Sequence, residues 1–154
     1  MITYISLFII KYLLLVIMLV IVSITDVKEY RIPNKVLVAF IVIRSGIWLY
    51  ELSHRTVVLD EVMKTTVMVL GIFICGVLIK LFSRGGIGMG DVKLLMCVTM
   101  YMGYHKGISI IYSSILIMGV IDAILIVCRL KSRKDVMPFA PAVLMGTLGL
   151  IVIL

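Results

Sequence analysis

Two aspartates stand where an apolar run meets a polar connection, and together they could hydrolyse a peptide bond. Asp26 ends the first apolar run, and Asp91 follows the stretch at residues 85–90, which holds four glycines in six residues. Two neighbouring carboxylates cannot both ionise cheaply, so they share one proton. The ionised member can take a proton from water while the protonated member polarises the peptide carbonyl. We therefore interpret Asp26 and Asp91 as the candidate catalytic pair.

Four further residues are predicted to shape a substrate site around this pair. Gly88 and Gly90 would let an extended substrate backbone come close to Asp91, because glycine has no side chain in the way. Pro138 and Pro141 break the start of the last apolar run, where they would shape the mouth of the site or simply punctuate a loop. A peptide bond inside a helix is already hydrogen-bonded, so a substrate would have to bind unwound.

Structural roles for the same residues remain open at this point. Asp26 could pair with Lys28 or Arg31 at a helix end, and the glycines at 85–90 could form a tight turn. Asn34, which follows a proline, is expected to cap the second helix with its side chain.

The composition places these residues in a membrane protein. The chain has 154 residues, of which 63% are hydrophobic, against roughly 45–50% in soluble domains. The net charge of +7 needs no nucleic-acid partner, since the sequence has no dense basic tract with interleaved aromatic residues. The three cysteines lie in apolar runs without CxxC spacing, so we expect no metal site, and nothing in the sequence points to a cofactor.

Six apolar runs predict an all-α polytopic protein with six transmembrane helices, forming a single membrane-embedded domain over residues 1–154. Most are close to the ~17–25 residues that cross a bilayer, and the second, fourth and sixth are short. The first has no basic region or cleavage site, so we expect a retained helix rather than a signal peptide. The runs cover residues 2–25, 36–50, 65–82, 85–104, 108–128 and 139–154.

The basic residues predict the orientation. The connections after helices one, three and five carry ten lysines and arginines, and the connections after helices two and four carry three. The positive-inside bias therefore puts Asp26 and Asp91 at the cytoplasmic face and both termini outside. Lys11 and Arg44 interrupt apolar runs and are expected to snorkel outward, either along the lipid or between helices. The ten are Lys28, Arg31, Lys35, Lys80, Arg84, Lys93, Arg129, Lys131, Arg133 and Lys134; the three are Arg55, Lys64 and Lys106.

A third intramembrane acid keeps two other functions open. Asp122 lies within the fifth apolar run, where it could bond to a neighbouring polar group or act in function. In a small proton- or cation-coupled carrier, Asp91 and Asp122 would bind the cation. In a non-catalytic membrane assembly subunit, neither acid would be needed.

Three motifs resemble the type IV prepilin peptidases, which are intramembrane aspartyl proteases of the GxGD class. Residues 88–91 form a GxGD motif, which Val-Lys-Leu-Leu continues as in that family. Residues 26–34, DVKEYRIPN, resemble the family's other acidic segment, and residues 137–141, MPFAP, resemble the opening of its last helix. The motifs follow the family order and span nearly the whole chain.

The resemblance implies an aspartic endopeptidase of the cell membrane that removes leader peptides at the cytoplasmic face. Its substrates would be type IV pilin-like, Flp/Tad pilin or pseudopilin precursors, and Asp26 and Asp91 would be the catalytic pair. Apart from the resemblance, the position of Lys93 two residues after Asp91 predicts that it stabilises the anionic pair, contacts the basic leader indirectly, or anchors the cytoplasmic end of the helix. The chain begins at helix one without the CxxC region of the larger members, so we expect the short, peptidase-only form without methyltransferase activity.

Overall fold

The protein is all-helical, as the apolar runs predict. The computed structural model describes residues 2–54, 57–82, 88–129 and 137–153, so Arg84, Gly85, Gly86 and the basic residues at 131–134 lie outside the described part. Its helices are α1 (Ile2–Glu29), α2 (Asn34–Ser53), α3 (Leu59–Phe82), α4 (Met89–Val127) and α5 (Ala140–Ile153).

Helix α4 reverses direction at Gly103. This residue has φ 80° and ψ 174°, a backbone conformation that is essentially restricted to glycine. A Cβ atom added at Gly107 would lie 2.8 Å from Thr99 Cγ2, whereas residues eight apart in a straight helix are about 12 Å apart. The α4 segment is therefore a helical hairpin, with a first arm at 89–102 and a second arm at 104–127.

The predicted six membrane spans are not confirmed, and neither is the position of the termini. Helices α1 to α4 are long and apolar enough to cross a membrane, by length and composition. The two arms of α4 correspond to the fourth and fifth apolar runs. Helix α5 has 14 residues and rises only about 21 Å, which is less than the ~30 Å of a hydrocarbon core.

The helices alternate in direction, so the described molecule has two ends. At one end, which we call the site end, Ile32 lies against Gly90. At the other, which we call the hinge end, Lys106 Nζ donates to Tyr12 Oη at 3.0 Å, close to Gly103. Helices α1, α3 and the second arm of α4 run towards the site end, and the others run away from it.

The core lies between α1, α2, α5 and both arms of α4. Its members come from every one of these elements, which fixes their relative positions and therefore the site that their ends form. The fully buried side chains include Leu15, Leu19, Leu37, Leu94, Val98, Ile110 and Val143.

The connection between α1 and α2 departs from its predicted capping. Helix α1 ends where Tyr30 turns into the left-handed region with φ 50°. The N-cap of α2 is Pro33, in an extended conformation and without a side-chain capping bond. The predicted Asn34 cap is wrong, because Asn34 is the first helical residue and its Oδ1 atom accepts a hydrogen bond from Lys93 Nζ at 3.1 Å.

Lys11 and Arg44 lie between helices, which is one of their two predicted arrangements, and not along the lipid. Lys11 Nζ lies 2.7 Å from Glu51 Oε1, and Arg44 Nη1 lies 3.1 Å from Glu51 Oε2. Arg44 Nε also donates to the Met100 carbonyl at 2.8 Å. Arg44 is only 4% exposed and Glu51 only 2%. The two cations turn inward because Glu51 offers them a partner, and we call these three residues the hinge-end charge cluster.

Candidate active site

The Asp26 side chain lies one turn before the end of α1 and reaches the start of α5. It is 5% exposed, and its Oδ2 atom accepts a hydrogen bond from the Ala140 N–H at 2.9 Å. The first N–H groups of a helix have no partner within it, and the helix dipole is positive there. Asp26 therefore satisfies the beginning of α5 while α5 stabilises its negative charge.

The Asp91 side chain lies in the first turn of its own helix. The Asp91 and Val92 N–H groups both donate to the Gly88 carbonyl, which begins α4. The Asp91 carboxylate folds back over Gly88 and accepts a hydrogen bond from its N–H. A Cβ atom on Gly88 would lie 2.9 Å from Asp91 Oδ2, so the glycine makes room for the carboxylate.

The two carboxylates belong to one site. Asp26 and Asp91 line the same cavity, and the negative charge of Asp26 acts on the Asp91 carboxyl. Within the described ranges, no lysine or arginine forms an ion pair with either, and no group of three or more potential metal ligands could hold a metal ion. Two acids beside one cavity, each at a helix N-terminus, are suited to sharing a proton and activating water.

The cavity itself has a volume of about 1300 Å³ and lies between α3, the two arms of α4 and the α1–α2 connection. Gly88, Gly90 and Lys93 line it, as their predicted roles require. Asp122 lines it as well, so three carboxylates face one cavity. Its volume exceeds the about 300–1,000 Å³ of typical small-molecule pockets.

The two prolines lie beside the site rather than in the cavity wall. Pro138 and Pro141 flank Ala140, whose N–H binds Asp26, but neither lines the cavity. Pro141 occupies the first turn of α5, where its missing N–H leaves no helical bond unmade. From these positions they shape the beginning of α5, the helix that binds Asp26. Their contact with a substrate stays a prediction.

The two acidic motifs pack directly against each other. A Cβ atom on Gly90 would lie 3.0 Å from Ile32 Cβ, so the space beside this glycine is filled by the α1–α2 connection. Lys93 reaches the same connection through its bond to Asn34. Both contacts tie the Asp91 segment to the segment that follows Asp26, whereas substrate contact by these residues stays a prediction.

Sequence reasoning missed Tyr30 and Arg31, which also line the cavity. Tyr30 adopts a left-handed conformation that is uncommon for a bulky residue, and such conformations concentrate at functional sites. Nothing in the residue spacing marks it. The sequence marks Asp122 as an intramembrane acid but does not assign it to the site. Its face of the helix is nevertheless marked by Ile111, Ile115 and Met118, which precede it at helical spacing and also line the cavity.

Comparison with known proteins agrees with the motifs. The family model described as the type IV leader peptidase family matches residues 13–126, which include both aspartates. The chain is 25% identical over 131 residues to the prepilin leader peptidase/N-methyltransferase of Bacillus subtilis (strain 168). That alignment covers 85% of this chain and 50% of the relative, so the chain spans about half the relative's length. No solved structure matches the chain. The chain belongs to the type IV leader peptidase family.

Proposed function

We propose that the chain is an intramembrane aspartic endopeptidase that removes leader peptides from type IV pilin-like precursors. The observation that carries this proposal is that Asp26 and Asp91, from separate helices, line one large cavity, and that no described lysine or arginine forms an ion pair with either. Membership of a leader peptidase family supports the reaction, and the paired carboxylates supply the chemistry.

The reaction follows from two carboxylates that share one proton. The ionised carboxylate removes a proton from a water molecule, whose oxygen attacks the scissile carbonyl carbon. The protonated carboxylate gives its proton to the carbonyl oxygen, and a neutral tetrahedral diol forms. When the diol collapses, the C–N bond breaks, the protonated carboxyl gives its proton to the leaving amine, and one hydroxyl of the diol returns its proton to the other carboxylate. The hydrogen bonds from Ala140 and Gly88 hold the two carboxylates in place throughout.

The membrane arrangement is part of the proposal. The two arms of α4 cross separately, because a 39-residue helix would otherwise be about 58 Å long, roughly twice a hydrocarbon core. With α5 as the shortest of them, six segments cross and both termini lie outside. The lysines and arginines near the site end support a cytoplasmic position for that end.

The substrates proposed are Flp/Tad pilin or pseudopilin precursors that carry a basic leader before an apolar helix. The Bacillus subtilis relative is named a prepilin leader peptidase, which supports a prepilin substrate for this chain.

The test is co-expression with pilin-like precursors encoded in the same genome, followed by measurement of leader removal. Asp26→Asn and Asp91→Asn should each reduce cleavage by about 100-fold or more, since both acids are needed to move protons. Asparagine still accepts the backbone hydrogen bonds, so both variants should remain folded in the membrane. Asp60→Asn is the matched control, because Asp60 is exposed and pairs with Lys64.

A carrier remains the second candidate because Asp122 lines the same cavity as Asp91. In that case Asp122→Asn would be as damaging as Asp91→Asn, Asp26→Asn would be mild, and no precursor would be cut. Cleavage that is lost in both Asp26→Asn and Asp91→Asn excludes the carrier. Cleavage by either variant at the wild-type rate contradicts the peptidase.

A further inference from the structure

The cavity is long, and its contacts show how its lining residues follow one another. Gly76 of α3 meets Val92, since a Cβ atom there would lie 2.6 Å from Val92 Cγ2. Met68 also lines the cavity and lies eight residues earlier in α3, which is about 12 Å nearer the hinge end. The cavity therefore extends from the aspartates well into the helical part of the molecule.

The part of the cavity on the hinge side of the aspartates is apolar, and we call it the trough. Helix α3 contributes small residues there, and a Cβ atom added at Gly71 would have nothing within 4 Å. Small residues on a helix let another helix approach closely in a membrane. The trough is lined by Met68, Gly71, Ile72, Cys75, Ile111 and Ile115.

Asp122 lies on the opposite side of the catalytic pair. Because Thr99 contacts Gly107, residues that are equally far from Gly103 in the two arms lie side by side. Asp91 and Ile115 are each twelve residues from Gly103, so they lie at the same height along the two arms. Asp122 is seven residues further along and lies about 10 Å beyond Asp91, towards the site end. Among the described residues, no hydrogen bond or ion pair reaches Asp122, whose carboxylate is free to bind a cation from outside the chain.

We propose that a precursor lies along this cavity in one direction, with its apolar helix in the trough and its leader passing Asp122. This inference rests on the proposed function and names the recognition elements of the same site. An extended chain advances about 3.3 Å per residue, so Asp122 would meet a basic side chain about three residues before the cut. The apolar segment after the cut is the occupant of the trough because it is continuous with the scissile bond at the aspartates.

The trough is tested by filling it. Gly71→Phe places a ring in empty space within the trough and should reduce precursor cleavage by about tenfold or more, because the apolar helix of the precursor no longer fits there. Gly119→Phe is the matched control, since Gly119 also has open space around it but lies outside the cavity wall. Wild-type cleavage by Gly71→Phe would overturn the trough, as would equal losses in both variants.

Cross-linking locates the substrate helix directly. Cys75 lines the trough, and Asp91→Asn would hold the precursor uncut. Single cysteines placed along the precursor's apolar helix should form disulfides with Cys75 within the first two turns after the cut. The Cys75→Ser variant should remove these products. Cross-links that instead favour Cys128, or that spread evenly along the helix, would overturn the trough as the binding site of the precursor helix.

The direction is tested by exchanging charges. Asp122→Lys should slow cleavage by about fivefold or more, and a precursor with glutamate in place of the basic residue near the third position before the cut should restore it. Asp60→Lys with the same precursors is the control. Equal slowing with basic and acidic leaders would overturn the role of Asp122 while leaving the peptidase intact. If wild type cuts no precursor, the proposed function itself fails.

Discussion

The described part of the molecule holds two clusters of buried and half-buried charge, and they are built in opposite ways. In the hinge-end charge cluster, Glu51 is bound by both Lys11 and Arg44. At the site end, Asp26 and Asp91 face a cavity, and only backbone N–H groups among the described residues bind them. A buried charge with partners is tolerated, and removing one partner destabilises the fold, whereas acids that are held away from water without a counter-charge cost stability and are typical of functional sites.

The distance between the clusters explains how both are tolerated. Lys11 and Asp26 are fifteen residues apart on α1, which is about 22 Å, so their charges hardly influence each other. The hinge-end cluster fixes α1, α2 and the first arm of α4 relative to one another. The site end can then leave its acids unpaired because their positions are set from elsewhere.

The largest expected effect separates activity from stability at the site end. Asp91→Asn should reduce cleavage by about 100-fold or more while the unfolding temperature in detergent stays the same or rises. Neutralising an acid that has no counter-charge removes a desolvation cost. A clear fall in unfolding temperature would contradict the comparison, because it would show that Asp91 holds the fold together.

The hinge-end cluster should respond in the reverse manner. Glu51→Ala leaves two inward-facing cations without their carboxylate and should lower the free energy of unfolding by about 3–5 kcal/mol. Protein that does remain folded should still cut precursors. Thermal unfolding of purified protein measures the change, and Asp60→Ala is the control because exposed pairs contribute about 1 kcal/mol or less.

A smaller effect is expected from the glycine beneath Asp91. Gly88→Ala would bring a methyl group to 2.9 Å from Asp91 Oδ2 and displace the carboxylate. Cleavage should fall by about tenfold with little change in stability, since misplaced reacting groups lose rate quickly. Gly46→Ala, where nothing lies within 4 Å, should cut normally. Full activity in Gly88→Ala would show that Asp91 tolerates another position.

The smallest expected effect concerns the bond between the two acidic motifs. Lys93→Ala removes the hydrogen bond to Asn34 and should reduce cleavage by about threefold at every pH, because the bond positions the segments rather than moving protons. Asn34→Ala should have the same effect, and the double variant should be no worse. A changed pH profile in Lys93→Ala would instead place Lys93 at the catalytic pair.

The site was more predictable than the hinge end, for a physical reason. Asp26 and Asp91 mark the ends of apolar runs, and a helix end beside lipid is visible in the order of the residues. Glu51 also ends a run, but nothing in the spacing connects residue 51 with residues 11 and 44. That pairing depends on how α1 and α2 pack, which the residue order does not contain.

Helix α4 shows the same difference between what the residue order predicts and what depends on packing. The sequence predicts two apolar runs on either side of Gly103, and both are helical. It does not predict that they meet without a loop, because one glycine conformation replaces the connection. The location of Asp122 in the cavity depends on that reversal, so its relation to Asp91 could not be derived from spacing along the chain.

The reversal at Gly103 also bears on how the protein is made. A single non-helical residue joins the two arms, so no loop separates one crossing from the next. On the proposed topology we expect the two arms to enter the bilayer as one hairpin. The arm that carries Asp91 and the arm that carries Asp122 would then be packed together before α5 is added to complete the hydrogen bond to Asp26.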